Sequence, residues 1–347
     1  MHKPHPLLFV VVALTAILFR MQSMGWSNDA SLIIPLGVIA VFGVVAFTRQ
    51  VFNWQIGIIA GILLAASSWH ARISDPNALF VLSTTAWGLF VLWRGLATNR
   101  IGFFILTGIL FGLGAYANLV GAWMIIALIP ILLTYQSVLE IHFEHEQYNH
   151  AREKILRGIG AAVLVLVLML IPGLVNLYAS DEGVSKVFEF ILPVGEGLTV
   201  IIRNFFHLFS QFNHQEAFLF WPVAVLAAVG LVRGIFKLSR SKRDHGHLST
   251  AHTTLLAWFI MGLVSTALGG AKTGMLIAGT AATIYAAQGV WWIFDWLEQW
   301  YSNRDVHTIS APSNHFRRVS MHESTAVSAT VMAILVAAIA IAEYFRL

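Results

Sequence analysis

The chain contains no cysteine, and only 11% of its 347 residues are charged. The absence of cysteine excludes disulfides, thiolate chemistry and cysteine-ligated zinc. So few charged side chains cannot coat a soluble globule, in which about a quarter of residues are charged. Hydrophobic residues instead make up 58% of the chain, and the mean hydropathy is +0.75. The composition therefore predicts an integral membrane protein.

Eleven apolar stretches approach the roughly 17 to 25 residues that a helix needs to cross a bilayer. In hydrocarbon only helices and closed barrels satisfy every backbone polar group, and the alternation of barrel strands is absent here. No linker rich in glycine, serine or proline divides the chain, so a single domain over 1–347 is expected. We predict an all-α, polytopic transmembrane bundle of about eleven spanning helices, over 6–20, 32–47, 55–69, 78–95, 102–117, 120–138, 156–178, 218–236, 252–269, 274–297 and 325–343.

The basic residues between these stretches predict an orientation. If the N-terminus is cytoplasmic, alternate loops hold fifteen of the 21 lysines and arginines, as the positive-inside rule requires. The C-terminus is then external, in a plasma (inner) membrane. The basic residues form small clusters beside the membrane, which indicates contact with membrane lipids and not with nucleic acid. The predicted cytoplasmic loops are 139–155, 237–251 and 298–323.

The first two external loops hold candidate site residues. Asp29 stands just before the second span, where an acid caps a helix or serves a reaction. His70, Arg72 and Asp75 fall within six positions of the second loop. Charge at membrane depth is expensive, so this cluster either pairs internally and closes a helical hairpin or binds a charged ligand. Both interpretations stay open.

Two later external segments carry further candidates. The long segment 179–217 mixes aromatic and aliphatic residues with isolated charges, including Arg203 and His207, a pattern typical of interfacial helices. Such helices border a groove for a lipid-linked substrate or merely cover the bundle. Lys272 lies in a glycine-rich turn that favours a bound phosphate, although the spacing of a nucleotide-binding P-loop is absent. No metal site is predicted, because the histidine- and glutamate-rich run 140–150 lacks a fixed ligand signature.

Several passages in order along 30–300 resemble one enzyme superfamily. They are AASSWHARISD at 65–75, LWRGL at 92–96, TGILFGLGAY at 107–116 and RNFFHLF at 203–209. With the predicted topology, they resemble GT-C glycosyltransferases, specifically the protein-mannosyltransferase and aminoarabinose-transferase-like branch called glycosyltransferase family 39. The resemblance implies a GT-C-like helical bundle.

The resemblance also implies an activity in the cell envelope. Members take a sugar from a polyprenyl-phosphate donor at the outer face and pass it to a lipid, glycan or protein acceptor. An acid in the first external loop acts as base, and basic residues bind the donor phosphate. Asp29 is thereby expected to be catalytic. The expected substrate-binding residues are His70, Arg72, Asp75, Arg203, His207 and Lys272. No cofactor is firmly implied, and a divalent metal ion remains an open alternative.

The chain also departs from this family pattern. Only eleven residues separate Arg20 from Leu32, where members have several tens in the first external loop, and Gly121 falls near a position that often holds arginine. Two hypotheses follow. The chain is a membrane hexosyl- or pentosyltransferase, or it is a catalytically silent GT-C-like protein that binds a lipid carrier or scaffolds a partner enzyme. Transport is less favoured, because the spans are almost free of charge.

Overall fold

The structure, a computed structural model, describes residues 6–24, 30–117, 145–179, 194–209, 219–240, 246–267, 271–308, 329–343 and 345. Within these ranges the chain forms helices and no strands, so the predicted all-α class is confirmed. The helices are α1 (Pro6–Met24), α2 (Ala30–Val51), α3 (Trp54–Ala66), α4 (Ser68–Ala71), α5 (Pro76–Thr98), α6 (Ile101–Ala117), α7 (His145–Ala179), α8 (Val194–Phe209), α9 (Trp221–Arg240), α10 (Gly246–Ala267), α11 (Ala271–Thr308) and α12 (Ala329–Glu343).

Ten of the eleven predicted spans overlap these helices, and the segment 120–138 lies outside the described residues. Among the described residues, six stretches are long and apolar enough to cross a membrane: Leu32–Val51, Pro76–Thr98, Arg152–Ile171, Trp221–Leu238, Thr250–Ala267 and Lys272–Trp300. Shorter apolar helices occur at α1, α3, α6, α8 and α12. The chain is therefore a helical membrane bundle. Two helices also run beyond the apolar stretches, because α7 begins at His145 and α11 extends to Thr308.

Polar residues mark several helix boundaries. The side chain of Asn53 accepts a hydrogen bond from the Ile56 N–H at 2.7 Å and so caps α3. Asp75 caps α5 by accepting from the Asn77 N–H at 2.9 Å, and Pro76 occupies the first turn, where its missing N–H costs nothing. At the other end of α5, Asn99 adopts a left-handed conformation, with φ of 52°, which ends the helix.

The helix α11 lies at the centre of the bundle. It packs against α3, α5, α9 and α10, and 83% of the residues in its most apolar stretch are buried. By contrast, only 28% of the residues in the most apolar stretch of α7 are buried. Large exposed aliphatic side chains occur on α1, α7 and α12. In a membrane protein this apolar exposure is the expected surface toward lipid tails. The buried centre and apolar exterior are consistent with the composition.

Two glycines let α9 and α11 approach until their backbones touch. A Cβ on Gly230 would collide with the carbonyl oxygen of Tyr285, and one on Gly289 would collide with that of Leu226. Farther along both helices, the Arg233 guanidinium lies over the Trp292 ring. Leu226 meets Gly289 and Gly230 meets Tyr285, so the two helices cross at one point of close backbone approach, in the small-residue packing common between membrane helices.

The helix α8 packs lengthwise along α10 in the opposite direction. The Cβ position of Gly197, near the start of α8, lies 3.8 Å from Ala267 at the end of α10. Two and three turns later, the Phe205 and Phe209 rings contact Phe259, with centroids 6.2 and 6.4 Å away. The described part of the predicted external segment 179–217 thus covers one side of α10.

The glycine contacts between α9 and α11 allow a stability test. Gly289→Leu should lower the melting temperature of the detergent-solubilised protein, because the new side chain meets backbone, which cannot rotate away. Overpacking of this kind typically costs about 1–3 kcal/mol. Gly160→Leu on α7 is the matched control, since a Cβ there meets nothing within 4 Å. Equal melting temperatures for the two variants would contradict the close helix contact.

Candidate functional site

One end of the bundle brings together the end of α1, the start of α2, α4, and the starts of α5 and α11. A buried apolar cluster unites Ile33 of α2, Ile73, Ala78 and Leu79 around the start of α5, and Leu276 of α11. A second cluster joins Phe19, Ala66 and Ala71, with Ala340 of α12 packed against it. We call this end of the bundle the Arg20 end.

The Arg20 side chain is completely buried and contacts His70, which is also completely buried. Its Nη2 donates to the His70 carbonyl oxygen at 2.9 Å and lies 3.2 Å from Nε2 and 3.4 Å from Nδ1 of the same residue. The guanidinium also occupies the space above Gly37, where a Cβ would overlap it. Arg20 therefore ties α1 to α2 and α4.

Glu343, almost completely buried at the end of α12, reaches the first residue of α4. Its Oε2 accepts a hydrogen bond from the Ser68 N–H at 3.4 Å. Ser67 precedes α4, but its hydroxyl donates to the Leu64 carbonyl and gives α4 no side-chain cap. The carboxylate of α12 consequently acts as a cap supplied from a distant part of the chain. It fixes the short helix that carries His70.

The surroundings of His70 favour the neutral ring. Burial, with the nearby Arg20 charge, holds the pKa of the His70 imidazole well below its usual value. A neutral imidazole has one acceptor nitrogen, so it can accept a hydrogen bond from Arg20 without like-charge repulsion. Chemically, the guanidinium is a strong donor to phosphate oxygens, and a carboxylate such as Glu343 can accept a hydrogen bond or a proton.

Three of the other sequence-predicted residues lie beside the Arg20 end, and two lie on α8. Arg72 is exposed beside the buried Ile73, and Asp75 is exposed while capping α5. Lys272 is exposed one turn before Leu276, which shares the cluster of Ile73. Arg203 is exposed on α8, with the half-buried His207 one turn farther along. Asp29 lies outside the described residues. The structure places His70 in contact with a second buried polar side chain, that of Arg20. The functional roles of all seven sequence-predicted residues stay predictions.

Arg20 and Glu343 are the two residues that sequence reasoning missed as site candidates. The sequence prediction places Arg20 where the first external loop begins, and it places Glu343 at the end of the predicted span 325–343. A usable signal was present, since an ionisable side chain at membrane depth is rare and usually meets a partner. The partner itself was not readable, because Glu343 meets Ser68 across 275 residues of sequence.

An apolar cavity of about 740 Å³ lies between α1, α3 and α12. It extends from Trp54 and Gln55, at the start of α3, to Phe19 and Ala340 at the Arg20 end. None of the described residues that line it is charged. Phe19 directly precedes Arg20, and Ala340 lies one turn before Glu343, so the cavity ends beside the buried polar groups. Its size is within the range of small-ligand sites.

No family model matches this chain, and no curated protein matches it. Among solved structures, it is similar to the oligosaccharyltransferase of Archaeoglobus fulgidus in the apo form, with a TM-score of 0.49 and 16% identity over 98% of this chain and 48% of that one. For the same archaeal enzyme, AglB, in complex with an inhibitory peptide and a dolichol-phosphate, the TM-score is 0.46 at 15% identity, over 96% and 47% of the two chains. The chain thus spans about half the length of the solved structures it matches. A likeness at this level identifies no site residue and no substrate.

The neutral, buried state of His70 should make the protein sensitive to acid. Because the folded-state pKa is lowered, the unfolded chain binds more protons below its pKa of about 6.5, and stability falls as the pH falls. The limit for one such group is about 1.4 kcal/mol per pH unit. His70→Gln keeps an acceptor for Arg20 but does not titrate. Between about pH 7.5 and about pH 5.5, the melting temperature of the parent protein should fall more than that of the variant. Parallel curves would contradict a buried neutral imidazole.

The cap that Glu343 supplies can be tested by two substitutions. Glu343→Ala should destabilise the protein by about 1–3 kcal/mol, because it leaves a buried N–H of α4 without its acceptor. Glu343→Gln keeps an acceptor oxygen and should cost less. The control is Glu153→Ala on α7, which removes an exposed pair with Arg157 and should cost under about 0.5 kcal/mol. Thermal unfolding in detergent measures all three, and similar losses for Glu343→Ala and Glu153→Ala would argue against the cap.

Proposed function

We propose that this chain is a membrane glycosyltransferase that moves a sugar from a polyprenyl-phosphate donor to a lipid, glycan or protein acceptor outside the cytoplasm. The observation that carries the proposal is the Arg20 end, where buried Arg20, His70 and Glu343 adjoin the end of the apolar cavity. The site thus has an apolar part and a polar part. A polyprenyl-phosphate-linked sugar likewise has an apolar tail and a phosphate head. The proposal places the Arg20 end outside and the N-terminus in the cytoplasm.

Each part of the donor has a matching surface. The isoprenoid tail lies in the cavity between α1, α3 and α12, whose lining within the described part of the chain is uncharged. The phosphate lies at the Arg20 end, within the field of Arg20 and of the exposed Arg72 and Lys272. Cations placed where negative charge develops on a leaving phosphate stabilise the transition state. The resemblance of 65–75 to the family passage agrees with this placement.

The reaction is a displacement at the anomeric carbon of the sugar. The acceptor hydroxyl oxygen forms a new bond to that carbon, and the bond from carbon to the phosphate oxygen breaks. The hydroxyl proton passes to the carboxylate of Asp29, the proposed base, while the bonding electrons leave with the polyprenyl phosphate. His70, Asp75, Arg203 and His207 complete the proposed binding set.

A second candidate is a catalytically silent protein that binds a lipid carrier or scaffolds an enzyme. The observation that favours it is the complete burial of both Arg20 and His70. A phosphate reaches these side chains only if the Arg20 end opens. A carrier-binding protein needs the apolar cavity and the exposed cations Arg72 and Lys272 but has no need of a base. The two candidates therefore differ in what Asp29 does.

Asp29→Asn separates the two candidates. In membranes supplied with polyprenyl-phosphate-linked mannose, glucose or aminoarabinose carrying a radiolabel, the parent protein should transfer label out of the lipid-phosphate fraction. The variant should lose at least about a hundredfold in rate, the usual contribution of a general base. It should still insert into the membrane. Glu153→Gln, an exposed position on α7, is the control for expression and handling.

Binding of the unloaded carrier completes this test. Polyprenyl monophosphate should raise the melting temperature of the parent protein and of Asp29→Asn alike, and Arg72→Gln/Lys272→Gln, which removes the two exposed cations, should lose most of that stabilisation. If the carrier raises the melting temperature of the parent protein and of Asp29→Asn equally, and neither protein transfers label, the result favours the silent candidate. Failure of the carrier to bind either protein would overturn both sugar transfer and carrier binding.

A further inference from the structure

The end of the bundle opposite the Arg20 end carries a row of tryptophans on α11. Trp292, Trp296 and Trp300 recur at one-turn intervals and are 39%, 53% and 45% exposed. Exposed tryptophans gather where hydrocarbon meets lipid headgroups, because their rings are apolar and their N–H is a donor. This row therefore marks the depth of one membrane surface on α11.

At that depth, α9 presents two cations one turn apart. Arg233 and Lys237 are both half-buried, and the Arg233 guanidinium lies 5.9 Å from the centre of the Trp292 ring. The acidic group coupled electrostatically to both is Asp295 on α11. Among the described residues neither cation forms an ion pair with it or with any other carboxylate. Two partly desolvated cations thus share one more distant acid.

A buried histidine lies against the α9 segment that carries these cations. Gly234 follows Arg233 in α9, and its Cβ position lies 3.1 Å from Nδ1 of His252 on α10. His252 is 3% exposed, and this nitrogen has no hydrogen-bond partner in the part of the chain that the structure describes. The charges acting most strongly on His252 are those of Lys237 and Arg233. Polar groups from α9 and α10 therefore meet beside the tryptophan row.

We propose that Arg233 and Lys237, with His252 behind them and Trp292 beside them, bind the phosphate of an anionic phospholipid. Basic pockets between membrane helices at the cytoplasmic surface are suited to such headgroups. Exposed apolar side chains continue along the same helix, at Val232, Ile235 and Phe236, and provide a surface for acyl chains. A free phosphate would gain nothing from that apolar surface. This site does not depend on sugar transfer, because it lies at the other end of the bundle.

The probe is phosphatidylglycerol, with phosphatidylcholine as the neutral comparison. Added to the delipidated protein in detergent, phosphatidylglycerol should be retained in native mass spectra and should raise the melting temperature, and phosphatidylcholine should do so less. Each cation near a membrane surface contributes about fivefold in affinity, so the double variant Arg233→Gln/Lys237→Gln should bind phosphatidylglycerol roughly thirtyfold more weakly.

The matched control removes the same charge elsewhere at this end of the bundle. Arg94→Gln/Arg100→Gln eliminates two exposed cations, and Arg94 also lies 5.9 Å from an aromatic ring, that of Phe90. This control should leave the retention of phosphatidylglycerol within about twofold, since exposed charges contribute little individually. An equal loss in both double variants would show diffuse attraction and would overturn the site.

Two further measurements can contradict the proposal. Asp295→Asn removes the shared acid and should increase the retention of phosphatidylglycerol, and a decrease would contradict the proposed charge balance. Inorganic phosphate should not displace the lipid or raise the melting temperature by itself. Stabilisation by inorganic phosphate equal to that by phosphatidylglycerol would assign the site to a soluble anion and overturn the lipid proposal. The double variant must match the parent melting temperature without lipid, and if it does not, Asp295→Asn decides the result.

Discussion

A guanidinium with no access to solvent is the constraint around which one end of this bundle is arranged. Removing such a charge from water costs several kcal/mol unless hydrogen bonds replace the lost hydration. The His70 carbonyl and the unprotonated ring nitrogen provide part of that replacement, and Gly37 leaves the space that the guanidinium fills. The positions of α1, α2 and α4 are therefore coupled. A displacement of any one of them would disturb the surroundings of a buried charge.

Elsewhere the bundle is held by close backbone approach instead of charge. Lipid tails are as apolar as aliphatic side chains, so membrane helices gain little from hydrophobic contact alone and associate through dispersion and small residues. Gly230 and Gly289 serve this purpose between α9 and α11, and Gly262 lets α10 meet Ala278 of α11. The centrally placed α11 thus has a glycine-mediated contact with each of two neighbours. The two ends of the bundle are left for polar chemistry.

Hydropathy and helix length predicted the fold class well, because the bilayer itself fixes the period and length of an apolar segment. The candidate residues were only partly accessible by the same reasoning. His70 was identified because histidine, arginine and aspartate crowd a short turn, and the structure places that histidine among buried polar groups. Arg20 and Glu343 were missed, because residue type and spacing within one segment do not show which distant helix a side chain will meet. The cap on α4 and the position of His252 against Gly234 likewise depend on contacts between helices, which composition does not predict.

The cap on α4 has a consequence for biogenesis. Ser68 is translated 275 residues before its acceptor Glu343, and four residues are too few to form a stable helix unaided. While the ribosome is still adding the intervening helices, the turn that carries His70 lacks its final support, and the apolar cavity has only two of its helical walls, α1 and α3. Insertion of α12 thus turns a lipid-facing side of the nascent bundle into a recess. That recess stays open to the bilayer, since Leu18 and Phe345 in its lining are exposed.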